Sequence, residues 1–420
     1  MNIPAWRRRP AVPVLLLSLA LVTAGCADNP TAGPSPTPPP LQSSSGPTST
    51  TLPKPSGQTS TPTTSTKPTT PGSNCIRKVI SAMSLREQAA QLVMSGVRAT
   101  GVRSSERSTL RAEQPGGVLL MGAGGSVAEV RDVVHDAVGA VGREYGVQPL
   151  VAADQEGGKV QRLRGSGFER IPSAREQGTW TSARLTAKAA AWARELAGVG
   201  VNVDLAPVAD VVPASVGDRN EPIGALDRNF GSTPDTVSGP VAAFVRGMSS
   251  AGVMTSVKHF PGLGRVRGNT DFSAGVVDGV TTRNDPLLKP FAAGIAAGTD
   301  MVMIATATYT RIDPQQRAVF SPIVIRDLLR GDLGYGGVVI SDDLGVAAEV
   351  KAVPVGQRAT RFVAAGGDIV ITADAGLVRP MVDALVAKAD ADPVFARQLG
   401  QSVQRVLALK ERRDLVKCDQ

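Results

Sequence analysis

Histidine is almost missing from this 420-residue chain: there are two, His135 and His259. A zinc centre built on histidines is therefore not expected, and no metal is assigned. Cysteine is scarce too, with only Cys26, Cys75 and Cys418. The Gly-rich turn Gly122-Ala123-Gly124-Gly125 has no P-loop lysine, so it reads as an ordinary strand-to-helix turn and not a phosphate cradle. The chain has no basic helix and no interleaving of aromatic and basic residues. Half of its net charge of +8 comes from residues 1–74, where five Arg or Lys face only Asp28. The remainder is mildly basic, which argues against nucleic acid as a partner and allows weak attraction to acidic cell-wall polymers. No cofactor motif is present, and none is assigned.

What is present begins with an export signal over residues 1–26. Arg7, Arg8 and Arg9 form a basic start, and Val12 to Val22 is an apolar core too short to span a membrane as a stable helix. Thr23-Ala24-Gly25-Cys26 resembles a bacterial lipobox, in which the peptide is cut before Cys26 and that thiol carries lipid. Thr23 is less typical there, so cleavage by an ordinary signal peptidase stays open. The expectation is an exported protein, lipid-anchored to the cell membrane and facing the outside or a periplasm-like space. Residues 27–74 are almost entirely Pro, Ser, Thr and Gly, with too little apolar surface to offset the entropy of ordering. They read as a tether that reaches roughly 150 Å when fully extended, and as a candidate for O-glycosylation.

With Cys26 lipidated, Cys75 and Cys418 remain at the two ends of the globular part. In an exported protein this pair suggests a disulfide. So long a closed loop would add roughly 5 kcal/mol. Two free thiols are the other reading.

Residues 75–420 suffice for one large domain. Ser84-Leu85-Arg86-Glu87 has a capping-box pattern, with Ala89, Leu92 and Val93 continuing an apolar helical face. Short apolar strands then alternate with helices. The strands are read at Gly117–Met121, Pro149–Ala153, Val201–Pro207, Gly252–Val257, Thr299–Ile304, Gly336–Ile340 and Gly367–Ile371, and an eighth is not evident. Helices are read near Ser126 to Arg143, where His135 counts as structural, over Ala183–Ala197, after Thr233-Pro234, over Met381–Ala389 and around Phe395–Leu409. Near-continuous apolar strands alternating with helices mean a parallel sheet covered on both faces. Seven or eight such units predict an α/β fold of the (β/α)₈ TIM-barrel type, in one domain.

Polar residues cluster just after the strands: Asp154, Asp204, Lys258-His259 and Asp342. In a barrel they converge on one rim. Asp342 ends a strand of Val and Ile and is held to point into the mouth. Asp343 is expected to point elsewhere, towards a helix N-terminus. With Arg162 and Arg228 this makes a rim of hydrogen-bonding groups without a metal or nucleotide motif, suited to an uncharged sugar.

Three ordered motifs carry a resemblance. They are Asp154-Gln155-Glu156-Gly157-Gly158-Lys159-Val160-Gln161-Arg162, Lys258-His259-Phe260-Pro261-Gly262 and Ser341-Asp342-Asp343-Leu344. Together they resemble glycoside hydrolase family 3, more narrowly its single-domain bacterial β-N-acetylglucosaminidases, from about Ser84 to Leu409. The resemblance implies a (β/α)₈ barrel, a retaining mechanism with Asp342 as nucleophile, and sugar binding by Asp154, Arg162, Arg228, Lys258 and His259. It implies terminal β-linked GlcNAc in cell-wall fragments as the substrate. A monomer is expected, with saccharides as partners and the membrane reached through the anchor.

The chain departs from the family in one loop. Relatives carry Asp-x-His there, and that histidine is the general acid/base. Here Asp271 matches the Asp and Ser273 stands at the His position. Leu263 and Thr306 also stand where family histidines are frequent. Three outcomes follow: Asp271 donates the proton itself, the acid comes from elsewhere or is dispensable, or the protein binds glycans and hardly turns over. A family 3 enzyme for another β-sugar is a further alternative.

Overall fold

The computed structural model describes residues 73–417. The signal segment, Cys26, nearly all of the tether and Cys418 lie outside the described residues. Cys75 is disulfide-bonded, and Cys418, its expected partner, lies outside that range.

Eight strands close into a barrel: β1 (Val93–Arg98), β2 (Gly117–Met121), β3 (Leu150–Ala153), β4 (Val203–Asp204), β5 (Met254–Phe260), β6 (Met301–Ile304), β7 (Val338–Asp343) and β8 (Ile369–Thr372). Each pairs in parallel with its neighbour in the chain, and β1 closes on β8 through Val93–Val370, Met94–Ile371 and Ser95–Thr372. The strands are buried almost throughout, as a sheet covered on both faces requires. This is the (β/α)₈ barrel.

The strand not evident in the sequence is the first one. Helix Leu85–Ala90 stops at Gln91, and Leu92 and Val93 already belong to the approach and start of β1. They are not a continuation of the helical face. The misreading has a simple cause, since Leu92 and Val93 follow Ala89 by three and four residues, the spacing of a helix. Gly96 also weakens the strand signal. Its place is steric: a Cβ there would lie 2.4 Å from the carbonyl oxygen of Ala373.

The helix starts follow their caps. Ser84 with Glu87 and Ser126 with Glu129 both form reciprocal capping boxes. Thr233 caps Pro234–Ser250, with Pro234 in the first turn where no N–H is needed. Helix Ser182–Gly198 packs on Pro234–Ser250 through Trp192 and Phe244, ring centres 6.3 Å apart. His135 is exposed on Val127–Val141. Helices Val378–Ala391 and Pro393–Arg412 close the domain.

One charge in this scaffold is held at a disadvantage. Lys410 is fully buried, its ammonium donates to Gln91 Oε1 at 2.7 Å, and burial lowers its pKa to about 7. In the unfolded chain a lysine titrates near 10.4. The unfolded state therefore binds the extra proton between these values, so stability rises with pH across that window. Lys410→Met should stabilise the fold by about 1–4 kcal/mol near neutral pH. It should also flatten the rise in stability between about pH 7 and pH 10, read by denaturant unfolding of both proteins.

Candidate active site

The carboxyl ends of the strands open into a cavity of about 510 Å³. Asp154, Arg162, Arg228, Lys258, His259, Asp271 and Asp342 all line it. Asp154 directly follows β3. Arg162 follows a short antiparallel hairpin, Gln155–Gly157 with Val160–Gln161. Arg228 lies in the loop after β4, Lys258 and His259 lie within β5, and Asp342 is near the end of β7. Adjacent strand residues ordinarily face opposite sides. The pairing of β5 with β6 shifts register between Val257 and Phe260, and both Lys258 and His259 reach the cavity.

A buried lattice of charge forms one wall. The Lys258 ammonium sits 2.6 Å from Asp154 Oδ1 and 2.7 Å from Glu156 Oε1. Arg228 clamps Glu156 with two bonds of 2.8 and 2.7 Å and also donates to the carbonyl of Pro222. Burial alone would push Glu156 up, but Arg228 and Lys258 outweigh it and hold the carboxyl well below the usual range. Burial would pull Lys258 down, and Asp154 and Glu156 instead raise it. Glu156, Lys258 and Arg228 therefore stay charged. Arg162 stands at the edge of the lattice; its buried Nε lies 4.0 Å from Asp154 Oδ2 and makes no hydrogen bond among the described residues.

His259 is fixed from behind. Its Nδ1 lies 2.7 Å from Asp210 Oδ2, while Nε2 faces Arg228 Nη2 at 3.4 Å. A proton on Nδ1 satisfies both contacts. Asp210 Oδ1 also accepts the backbone N–H of Leu263 at 2.7 Å.

Two carboxyls occupy the other side. Asp342 is raised above the usual carboxylate range, chiefly by burial; His259 and Lys258 oppose this and Asp271 adds to it. Asp342 Oδ1 accepts the N–H of Asp343 at 2.8 Å. Asp271 is raised as well, first by burial, with His259 and Arg228 opposing and Asp343 and Asp154 adding. The residue stands on the exposed edge of the mouth beside Phe272, which is 82% exposed, while its carboxyl turns into the cavity and loses part of its solvent there. Two acids of this kind titrate as a pair.

Some sequence-read positions behave differently. Asp204 does not line the cavity; it is fully buried below the rim, where Oδ1 accepts the N–H of Gln155 at 3.0 Å and burial raises its pKa to about 8. Asp343, expected to point elsewhere towards a helix N-terminus, lines the same cavity as Asp342; its carboxylate accepts the N–H groups of Gly345, Val346 and Ala373 and caps no helix among the described residues. Ser273 turns inside its loop, with its N–H on Asn269 O, and does not line the cavity. Thr306 is fully buried with no protein partner for its hydroxyl. Glu156 and Asp210 were not singled out from the sequence. Glu156 stood inside a motif that already pointed to the site. Asp210 lies in an irregular segment six residues past β4, and no local pattern marks it.

The chain can now be set beside known proteins. Residues 84–409 match the family model described as the glycosyl hydrolase family 3 N terminal domain. A beta-hexosaminidase of Stenotrophomonas maltophilia is 36% identical over 298 residues, covering 68% of this chain and 84% of that protein. The crystal structure of a beta-N-acetylhexosaminidase from Beutenbergia cavernae superposes with a TM-score of 0.77 at 46% identity, covering 78% of this chain and 99% of the other. A beta-N-acetylglucosaminidase of family 3 from Paenibacillus gives a TM-score of 0.71 at 29% identity, over 79% and 63% of the two chains. The barrel, the three motifs on its rim and a match spanning most of the chain lead to one assignment: this protein belongs to glycosyl hydrolase family 3.

Proposed function

We propose that the protein is a retaining β-N-acetylglucosaminidase that removes terminal β-linked GlcNAc from cell-wall saccharides. The observation that carries this reading is the pairing of Asp342 and Asp271 in one cavity with a lattice of sugar-binding charge. The names of the similar proteins support the choice of sugar. Asp342 attacks the anomeric carbon as the bond to the leaving oxygen breaks, giving a covalent glycosyl-enzyme. Asp271 gives its proton to that oxygen. It then takes a proton from the water that releases the sugar with retention.

Each acid suits its part. Burial raises Asp342 and His259 and Lys258 oppose that rise, so the nucleophile ionises above the ordinary carboxylate range. Loss of solvent around its carboxyl shifts Asp271 towards the protonated form, the direction a proton donor requires. Ser273 cannot substitute, since a hydroxyl is too weak an acid. Lys258, His259, Arg228, Arg162 and Asp154 hold hydroxyls of the bound sugar. Phe272 and Val346 line the mouth and offer apolar surface to the leaving group. The missing loop histidine favours a second reading, a glycan-binding protein with weak turnover. We further propose, from Cys26 and the segment before it, that the protein is exported and lipid-anchored.

Asp342→Asn should abolish turnover and keep GlcNAc binding, measured by calorimetry; wild-type-like activity in it would exclude the nucleophile role. Asp271→Ala should slow a disaccharide with a sugar leaving group by about 10²–10⁴-fold, and a 4-nitrophenyl glycoside far less. If the wild type binds GlcNAc and turns over neither substrate, the binding-protein reading replaces the enzyme.

The pH profile of kcat/KM should be a bell. It rises as Asp342 ionises and falls as Asp271 loses its proton, both limbs lying above the ordinary carboxylate value of about 4. Asp271→Ala should lose the alkaline limb; retention of that limb assigns it to another group. Cys26→Ala should move the protein from the membrane to the soluble fraction and end incorporation of labelled fatty acid. Unchanged fractionation and labelling would exclude the anchor.

A further inference from the structure

The loop that carries Asp271 runs from Gly262 to Val276 across the mouth of the barrel, and it is fastened at both ends. At its start, the Asn220 side chain donates to the carbonyls of Leu263 and Val266 at 2.7 and 2.6 Å. The same amide accepts the N–H groups of Ile223 and Gly224, so it joins this loop to the one carrying Arg228. A Cβ on Gly264 would lie 1.8 Å from the carbonyl oxygen of Val211, so the two loops touch backbone to backbone.

At its far end the Thr308 N–H donates to the carbonyl of Val276, Val277–Asp278 pair with Thr308–Tyr309, and Glu349 adds a side-chain grip. Glu349 lies seven positions after Asp342, in the loop after β7, and is 1% exposed. Its backbone N–H donates to the carbonyl of Thr270, and the N–H of Ala348 donates to that of Asp271, both at 3.1 Å. Its side chain reaches further along: Oε2 accepts the N–H of Val276 at 2.8 Å. Its other oxygen, Oε1, is held at 2.7 Å by Arg317 Nε, from the loop after β6. Neither Glu349 nor Arg317 lines the cavity.

We infer that Glu349, oriented by Arg317, is a positioning residue that holds the Asp271 loop at a set distance from Asp342. β7 ends in Asp342 and Asp343, and the loop that follows runs directly to Ala348 and Glu349. One short segment thus carries one acid and grips the loop of the other. A buried carboxylate without its cation is poorly tolerated, so the grip depends on Arg317. Burial without a cavity contact fits a role in alignment, where a displacement of about 1 Å can cost about 10²-fold. The inference rests on Asp271 as the proton donor.

The test uses Arg317→Met and Glu349→Gln, alone and combined with Asp271→Ala. Glu349→Gln keeps an acceptor for Val276 N–H, so it preserves the fold while releasing Arg317. Each single variant should slow a disaccharide by about 10- to 10²-fold, slow a 4-nitrophenyl glycoside much less, and add nothing to Asp271→Ala. Equal losses on both substrates, or losses that multiply with Asp271→Ala, would overturn the positioning role. Hydrogen exchange separates this outcome from failure of the acid assignment. Amides over residues 269–276 should exchange faster in both variants whatever Asp271 does, and unchanged exchange would overturn the clamp. If exchange quickens but Asp271→Ala slows both substrates alike, the clamp stands and the acid assignment falls.

Discussion

The contact between Lys258 and its two carboxylates, Asp154 and Glu156, is the constraint on which the rim depends. Three consecutive chain segments meet there. Asp154 and Glu156 come from the end of β3 and its hairpin, Lys258 from β5, and Arg228 from the loop between them. Both Lys258 and Glu156 are almost completely buried, so no water can replace a lost partner. Breaking such a pair costs about 3–5 kcal/mol, because the remaining charge stays buried and unpaired. The same low-polarity surroundings strengthen each hydrogen bond the lattice offers a ligand. Charge in this wall is therefore structural and functional at once. It locks the segments together and lines the cavity with fixed donors and acceptors, which in the proposed function hold the sugar.

A second tier of buried polar side chains lies behind the first. Asp210 orients His259, Asn220 ties two loops with all four of its hydrogen-bonding positions, and Glu349 ties two more. None of these three is a cavity-lining residue. A catalytic group on a loop needs such support, because a loop's own backbone bonds do not fix it. In the proposed mechanism the proton donor, Asp271, sits on such a loop. A short aspartate side chain has less reach than a histidine, so the position of the loop matters more.

The protonation pattern follows from this architecture. Glu156 and Asp271 carry the same functional group at one end of the barrel, yet one is held far below and the other above the usual range. The difference is cation contact. Glu156 touches both Lys258 and Arg228, whereas Asp271 has cations only at longer range and loses solvation on the rim.

Much of this was readable from the chain itself. Apolar strands of fixed spacing determined the barrel, because a strand covered on both faces has no polar alternation to show. The three motifs located Asp154, Arg162, Lys258, His259 and Asp342 at the cavity, because each motif follows or ends a strand. Capping boxes at Ser84 and Ser126 marked helix starts, because they satisfy backbone groups locally. Only the tertiary structure decided the rest. Val93–Arg98 became a strand because β2 and β8 pair with it on either side, against a local helical spacing. Asp204 withdrew below the rim because the Gln155 N–H meets it there. Asp210, Asn220 and Glu349 gained their roles from partners 49, 43 and 73 residues away. Local pattern records what a residue does for its neighbours in the chain. The identity of its neighbours in space is settled only when the barrel closes.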